Sequence, residues 1–98
     1  MDDMSTAHYS PGRSMTANHE EEIRRELSAL LAQGPGKLVL DMTGVSSIDS
    51  TGLSVIIGLH LDLEASGKEL FIVNADRDMQ HLFSSMRLDT RIKINESR

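Results

Sequence analysis

The side chains of this chain that are best suited to chemistry stand in one run, Asp49-Ser50-Thr51-Gly52. They are one carboxylate and two adjacent hydroxyls, and an apolar segment begins directly after them with Leu53 and Ser54. Hydroxyls at such a junction serve as helix caps, as nucleophiles or as sites of covalent modification. These three interpretations differ in what else each needs from the sequence.

A hydrolase nucleophile is disfavoured at Ser50. A nucleophile elbow has a glycine two residues before its serine and another two residues after it. Gly52 supplies the second glycine, but Ile48 stands in the first position. The sequence also places no histidine beside this run to act as its base. Acyl transfer at Ser50 is therefore disfavoured.

Metal and cofactor sites find little support. None of the four histidines is paired with another at metal-ligand spacing, and the chain has no cysteine. These histidines are His8, His19, His60 and His81. The turn at residues 34–38 superficially resembles a phosphate-binding loop, but Leu31 and Leu38 replace its first glycine and its magnesium-binding hydroxyl. We expect no metal and no cofactor.

Charge and hydropathy limit the partners. Lysine and arginine number 10 against 15 aspartates and glutamates, and a net charge of -5 disfavours nucleic acid. The longest mainly apolar stretch, residues 53–63, contains His60 and Asp62 and is too short to span a bilayer. The first residues are acidic and do not form an apolar signal segment. We predict a cytoplasmic protein with no nucleic-acid partner and no membrane insertion.

The apolar pattern predicts an α/β fold. Three segments have apolar residues at helical spacing, and three others are short apolar runs typical of strands. The first predicted helix begins near residue 18, and the second and third cover 51–65 and 76–86. The predicted strands cover 37–42, 69–73 and 91–94. Their alternation predicts right-handed crossovers and a mainly parallel sheet of three to five strands with about three helices.

Polar residues at the predicted helix starts are candidate caps. Asn18 followed by Glu21 predicts a capping box for the first helix, and Asp76 or Asn74 is placed to cap the third. Any polar residue of 49–51 is able to cap the second helix. One cap does not explain three polar residues in a row, so we expect this loop to be exposed at the carboxyl end of a strand.

Two residues after the hydroxyls have properties that suit an interface. Gly52 has no Cβ, so we expect it to let another backbone or a modifying enzyme approach closely. Leu53 and the outward part of the second helix are expected to offer an apolar contact. Both expectations place a partner at the start of this helix.

The N-terminal residues differ from the rest in composition. Residues 1–15 are polar and are interrupted by Pro11 and Gly12. We predict an N-terminal arm here, with at most one short edge strand at residues 7–9, in front of a domain of residues 16–98.

The segment KLVLDMTGVSSIDSTGLSVIIGL, residues 37–59, resembles the central signature of the STAS domain, which is found in anti-sigma factor antagonists and in sulfate transporters. The similarity extends from about Gly12 to Ile94. It includes the acidic first helix and the Gly67-Lys68-Glu69-Leu70 lead into the next strand. The resemblance implies a STAS-like fold.

The resemblance also implies a function in transcription regulation, performed by a binding protein that is not an enzyme. Antagonists of this family bind an anti-sigma factor that is itself a serine kinase with a histidine-kinase-like ATP fold. The kinase phosphorylates the serine directly after the aspartate, which is Ser50 here, with Thr51 as the alternative acceptor. Phosphorylation separates the two proteins, and a PP2C-type phosphatase reverses it. The implied partner surface consists of Asp49, Ser50, Thr51, Gly52, Leu53 and Ser54.

Two departures from the family pattern add expectations. Only 11 residues precede Gly12, so the usual N-terminal strand pair is predicted to be shortened or absent, which leaves a free sheet edge for a homodimer. Met15 stands where the family has the aspartate of a Gly-Glu-Leu-Asp turn. An alternative is therefore an unphosphorylated STAS subunit that docks on an ABC transporter ATPase or another regulatory partner. Nucleotide binding at the strand ends, a third interpretation, lacks a phosphate cradle in the sequence.

Overall fold

A computed structural model describes residues 5–95 of this chain. In these residues four parallel strands form one sheet in the order β1-β2-β3-β4, with α-helices in the crossovers. The strands are β1 (Thr6–Tyr9), β2 (Lys37–Asp41), β3 (Glu69–Val73) and β4 (Lys93–Ile94), and the helices are α1 (Glu20–Leu31), α2 (Ser50–Ala65) and α3 (Arg77–Ser85). The predicted α/β fold is confirmed, and the predicted element bounds differ from these by at most two residues.

The sheet presents one row of apolar side chains to the helices. Tyr9 pairs with Leu40, Leu40 with Ile72, and Ile72 with Ile94, and all four belong to or pack against the core. Side chains alternate across a strand, so Phe71 points to the opposite face. Phe71 is also buried, and the ammonium groups of Lys37 and Lys93 lie 5.0 and 5.3 Å from its ring centroid. The central strands are therefore covered on both faces, as their continuous apolar runs predict.

The three helices share this core. Ile23 and Leu27 of α1, Ile56 of α2, and Met79 and Phe83 of α3 are buried in one cluster with the sheet. Within residues 5–95, none of the helices combines the length and the apolar character needed to cross a bilayer. The packing places the carboxyl end of β2 and the start of α2 at the same edge of the molecule.

Two cap predictions have different outcomes. The predicted capping box is wrong, because Asn18 lies inside a 3-10 turn, Ala17–His19, and α1 begins after it without a side-chain cap from its N-cap residue. Asp76 is confirmed as the N-cap of α3, since its carboxylate accepts a hydrogen bond from the N–H of Met79 at 2.8 Å.

The N-terminal edge strand predicted at residues 7–9 is confirmed as β1, which pairs with β2. It is the one strand before α1 in the described residues. Pro11 is buried, and Met15 is 1% exposed within the core. From residue 5 onward the predicted arm thus packs on the same core as the rest. Residues 1–4 lie outside the described part of the chain.

Candidate partner-binding site at the start of helix α2

Asp49 connects the starts of two helical segments. As the N-cap of α2 it accepts a hydrogen bond from the N–H of Gly52 through Oδ1 at 3.0 Å. Its Oδ2 accepts from the N–H of Ala17, the first residue of the turn before α1, at 3.1 Å. The Gly52 hydrogen bond and then the Ala17 hydrogen bond lower the pKa of Asp49. One ionised side chain therefore fixes the loop that carries Ser50.

Two backbone hydrogen bonds join Met15 to this loop. The N–H of Met15 donates to the carbonyl of Ser47 at 3.0 Å, and the N–H of Asp49 donates to the carbonyl of Met15 at 3.3 Å. These bonds form an isolated parallel bridge between Met15 and Ile48. The side chain of Met15, at the position of the family's aspartate, packs in the core. This position thus serves the packing of the loop.

Gly52 is buried, and the backbone that approaches it belongs to this chain. A Cβ built on Gly52 would lie 2.0 Å from the carbonyl oxygen of Met15. The prediction that Gly52 lets another backbone approach closely is confirmed, and this backbone is that of Met15 in the same chain. The close approach of a modifying enzyme stays a prediction. Its lack of a side chain lets the N-terminal segment pack under α2.

The two hydroxyls differ in exposure. Ser50 is the first residue of α2 and is exposed, whereas Thr51 is partly buried. Because Asp49 caps the helix, neither hydroxyl is needed as a cap. Within residues 5–95 the hydroxyl of Ser50 makes no hydrogen bond. A hydroxyl without a bonded base is a poor nucleophile but an accessible acceptor for a modifying enzyme.

The next turn of α2 extends the same surface. Leu53 is partly exposed and Ser54 is exposed. Together with Ser50 they place one apolar and two hydroxyl side chains at the outer start of the helix. Of the six predicted surface residues, Gly52 is buried, and Asp49, which is partly exposed, caps the helix.

A group of three serines beside this loop was not predicted. The hydroxyls of Ser46 and Ser47 each lie 3.0 Å from the hydroxyl of Ser14. They belong to segments more than 30 residues apart, so local sequence patterns give no signal for their contact. The serines form a polar border between the N-terminal segment and the loop before α2.

A separate cavity of about 610 Å³ lies at the carboxyl ends of β2 and β3. Its polar lining includes Thr43, Asn74, Asp76 and Asn95, and none of its lining residues is basic. An acidic and neutral lining does not suit the phosphates of a nucleotide. In the described residues, no three histidine, aspartate or glutamate side chains are grouped as metal ligands.

Comparison with known proteins places the chain in a family. The family model described as the STAS domain matches residues 5–98 of the chain. The chain belongs to the STAS domain family. It is 28% identical over 75 residues to the anti-sigma-B factor antagonist of Staphylococcus aureus strain NCTC 8325, which is 76% of this chain and 69% of the relative. The anti-sigma-B factor antagonist of strain COL gives the same values.

Solved structures of STAS domain proteins have the same fold. A Thermotoga maritima protein assigned to the anti-sigma factor antagonists superposes with a TM-score of 0.86 at 23% identity, covering 99% of this chain and 82% of that chain. The anti-sigma factor antagonist SpoIIAA in its unphosphorylated form gives a TM-score of 0.73 at 19% identity, covering 100% and 86%. The phosphorylated form of Bacillus SpoIIAA gives 0.72 at 21%, covering 99% and 88%.

Proposed function

We propose that this STAS domain protein is an anti-sigma factor antagonist, which regulates transcription by binding an anti-sigma factor reversibly. The observation that carries the proposal is the exposed hydroxyl of Ser50, which Asp49 holds in place by capping α2. The relatives named as anti-sigma factor antagonists support this function. The protein acts by binding in the cytoplasm and is not itself an enzyme.

The proposed switch is phosphorylation of Ser50 by the anti-sigma factor, a serine kinase with a histidine-kinase-like ATP fold. A phosphate adds about -1.5 to -2 charges at neutral pH. At a helix N-terminus an anion is favoured by about 0.3–1 kcal/mol, while the nearby carboxylate of Asp49 opposes it. These opposing effects leave the fold nearly unchanged. A PP2C-type phosphatase returns the protein to its binding form.

The same charge has a larger effect on the complex. A partner that packs on Ser50, Leu53 and Ser54 must desolvate the phosphate or place its own groups against it, which costs several kcal/mol. Phosphorylation is therefore expected to abolish binding without unfolding the protein. The similarity to SpoIIAA, a protein solved in both unphosphorylated and phosphorylated forms, supports this switch.

Intact mass spectrometry tests the modification. The protein is incubated with the anti-sigma factor kinase of the same organism and ATP, and we expect a gain of one phosphoryl group. Ser50→Ala should abolish the gain, whereas Thr51→Ala and Ser54→Ala should retain it. A gain that persists in Ser50→Ala would reject Ser50 as the acceptor. Binding to the kinase without any mass gain would favour a docking subunit, such as one on an ABC transporter ATPase.

We also propose that the protein forms a homodimer through β1. This strand lies at one end of the sheet in the described residues, with β2 as its one neighbour, and Thr6 and His8 are exposed. An edge strand presents unpaired backbone groups that a second copy can bind. Sedimentation equilibrium at high micromolar concentration should give a dimer mass, and a monomer mass would reject this proposal.

A further inference from the structure

Helix α2 is apolar on its outer side as well as on its inner side. From Ser50 to Leu61 the sequence contains no acidic or basic residue other than His60. Leu61 is 51% exposed, and Ile57, one turn before it, is partly exposed. A helix that borders on water normally has a charged face, and one that is apolar all round is normally covered on every side. The outer side of α2 therefore has the composition of a contact surface.

Ile57 and Leu61 form an apolar ridge on α2, and Gly58 leaves a notch beside it. A Cβ built on Gly58 would meet no atom within 4 Å, so no contact in the described residues requires a glycine here. Glycine in a helix interior is unfavourable relative to alanine. The space lies in a cavity of about 180 Å³ between α1 and α2, whose lining is mixed. Apart from Gly58 it consists of apolar Leu27, Leu31, Val55 and Leu59 and polar or charged Arg24, Ser28 and Asp62. A notch between two helices with both apolar and charged lining can accept a side chain from another protein.

The ridge and the notch continue the surface that begins at Ser50. Residues 50, 54, 57, 58 and 61 follow one another at helical spacings of three and four, so they share one face of α2, which we name the α2 face. The face extends about 16 Å along the helix axis, given a rise of 1.5 Å per residue. Ser50 stands at one end of it and Leu61 at the other.

We infer that the protein that contacts Ser50 also covers the α2 face as far as Leu61 and inserts a side chain into the notch at Gly58. This inference rests on the proposed function. A stable interface buries about 800 Å² on each partner, which is more than one short helix face supplies. The occupant must therefore cover adjoining surface, and the α2 face is continuous with the Ser50 loop.

Charge argues against a lipid surface as the occupant. Peripheral helices that bind anionic membranes have lysine and arginine beside their apolar face. Residues 50–61 have neither, and the chain has a net charge of -5. A protein with an apolar contact surface is the partner that this face fits.

Two substitutions on the α2 face and one outside it test the inference. Leu61→Ser removes the exposed end of the ridge, and Gly58→Ala fills the notch. Met86→Ser is the matched control, because Met86 is the other exposed large hydrophobic residue of the described chain, 42% exposed at the end of α3. Calorimetry with the purified anti-sigma factor measures Kd, and thermal unfolding measures Tm.

We expect Leu61→Ser to raise Kd by about tenfold, because it removes a large exposed apolar side chain that the partner would bury. Gly58→Ala should raise Kd while Tm stays the same or increases, which separates lost binding from lost folding. Met86→Ser should bind as the wild type does.

The same titrations separate failure of the inference from failure of the function. If Ser50→Asp abolishes binding while Leu61→Ser and Gly58→Ala bind as the wild type does, the inference is wrong and the function stands. If the wild type binds no anti-sigma factor, the function is wrong and the inference falls with it. If Leu61→Ser converts a dimer into a monomer with Kd unchanged, a second copy covers this face and the inference is wrong.

Discussion

The carbonyl oxygen of Met15 occupies the space that a side chain on Gly52 would need. A Cβ on Gly52 would lie 2.0 Å from this oxygen, which also accepts the hydrogen bond from the N–H of Asp49 at 3.3 Å. The oxygen belongs to the backbone of a residue in the core, so it cannot move aside cheaply. The segment before α1 and the start of α2 therefore pack as one unit, which positions Ser50.

Alanine substitutions at two glycines of α2 should have opposite effects on stability. Gly52→Ala forces a methyl group against backbone, and we expect it to lower the free energy of unfolding by about 3 kcal/mol or more. Gly58→Ala meets open space and should raise it by about 0.5–1 kcal/mol. Urea denaturation measures both. Equal effects of the two substitutions would contradict the packing of Met15 under Gly52.

The lowered pKa of Asp49 should make stability depend on pH. A carboxyl with a lower pKa in the folded state contributes stability above the unfolded pKa, and this contribution is lost as pH falls through the folded pKa. We expect Asp49→Asn to lower the free energy of unfolding at pH 7 and to reduce its decline below about pH 4. Gly52 and Ala17 donate to different oxygens of Asp49, and an asparagine has an NH2 donor in place of one of them, so one of the two hydrogen bonds is lost.

Denaturant unfolding at a series of pH values measures this contribution. Asp62→Asn is the control, because it removes the same charge from α2 without removing a helix cap. If Asp49→Asn and Asp62→Asn changed the pH dependence equally, the hydrogen bonds of Asp49 would not be its cause.

A negative charge at Ser50 should weaken the complex without unfolding the protein. We expect Ser50→Asp to raise Kd for the anti-sigma factor by at least about tenfold, because the charge lies inside the proposed interface. Ser84→Asp, at an exposed position on α3, makes the same chemical change away from it. It should leave Kd unchanged, and both variants should unfold cooperatively near the wild-type Tm. Equal affinity of Ser50→Asp and wild type would reject the switch.

The sequence predicts the elements well because their signals are local. Continuous apolar runs mark β2 and β3, and apolar residues at helical spacing mark α1 and α3. Asp76 before α3 is a cap that local pattern identifies correctly. Each of these signals depends on neighbours within a few residues, so tertiary contacts did not overturn them.

The contacts that hold the site are not local, and the sequence does not predict them. Asn18 and Glu21 have the spacing of a capping box, but the N–H of Ala17 donates instead to Asp49, 32 residues later. Nothing near Ala17 in the sequence identifies that acceptor. For the same reason the sequence predicts that another backbone approaches Gly52 closely but does not identify it as the backbone of Met15. Contacts between distant segments determine both the acceptor of the Ala17 N–H and the backbone that packs on Gly52.

Tyr9 provides a spectroscopic test of how β1 is joined to α1. Burial raises the pKa of Tyr9 above its ordinary value of 10, and the hydrogen bond to Glu26 and the charge of Glu26 raise it further. The hydroxyl of Tyr9 donates to Glu26 Oε1, which also accepts from Arg13 at 2.8 Å. Tyr9 is the single tyrosine of the chain, so ultraviolet absorbance follows its phenolate alone.

We expect the phenolate signal of the native protein to appear only well above pH 10. The pKa of Tyr9 is higher in the folded protein than in the unfolded chain. The stability that the protonated Tyr9 contributes is therefore complete below the unfolded pKa and is lost as pH rises through the folded pKa. Glu26→Gln removes the charge beside the hydroxyl and should move the native titration to lower pH, whereas Glu21→Gln, on the exposed side of α1, should not. A native titration near pH 10 would mean that Tyr9 is neither buried nor bonded to Glu26, and that β1 is held by the sheet alone.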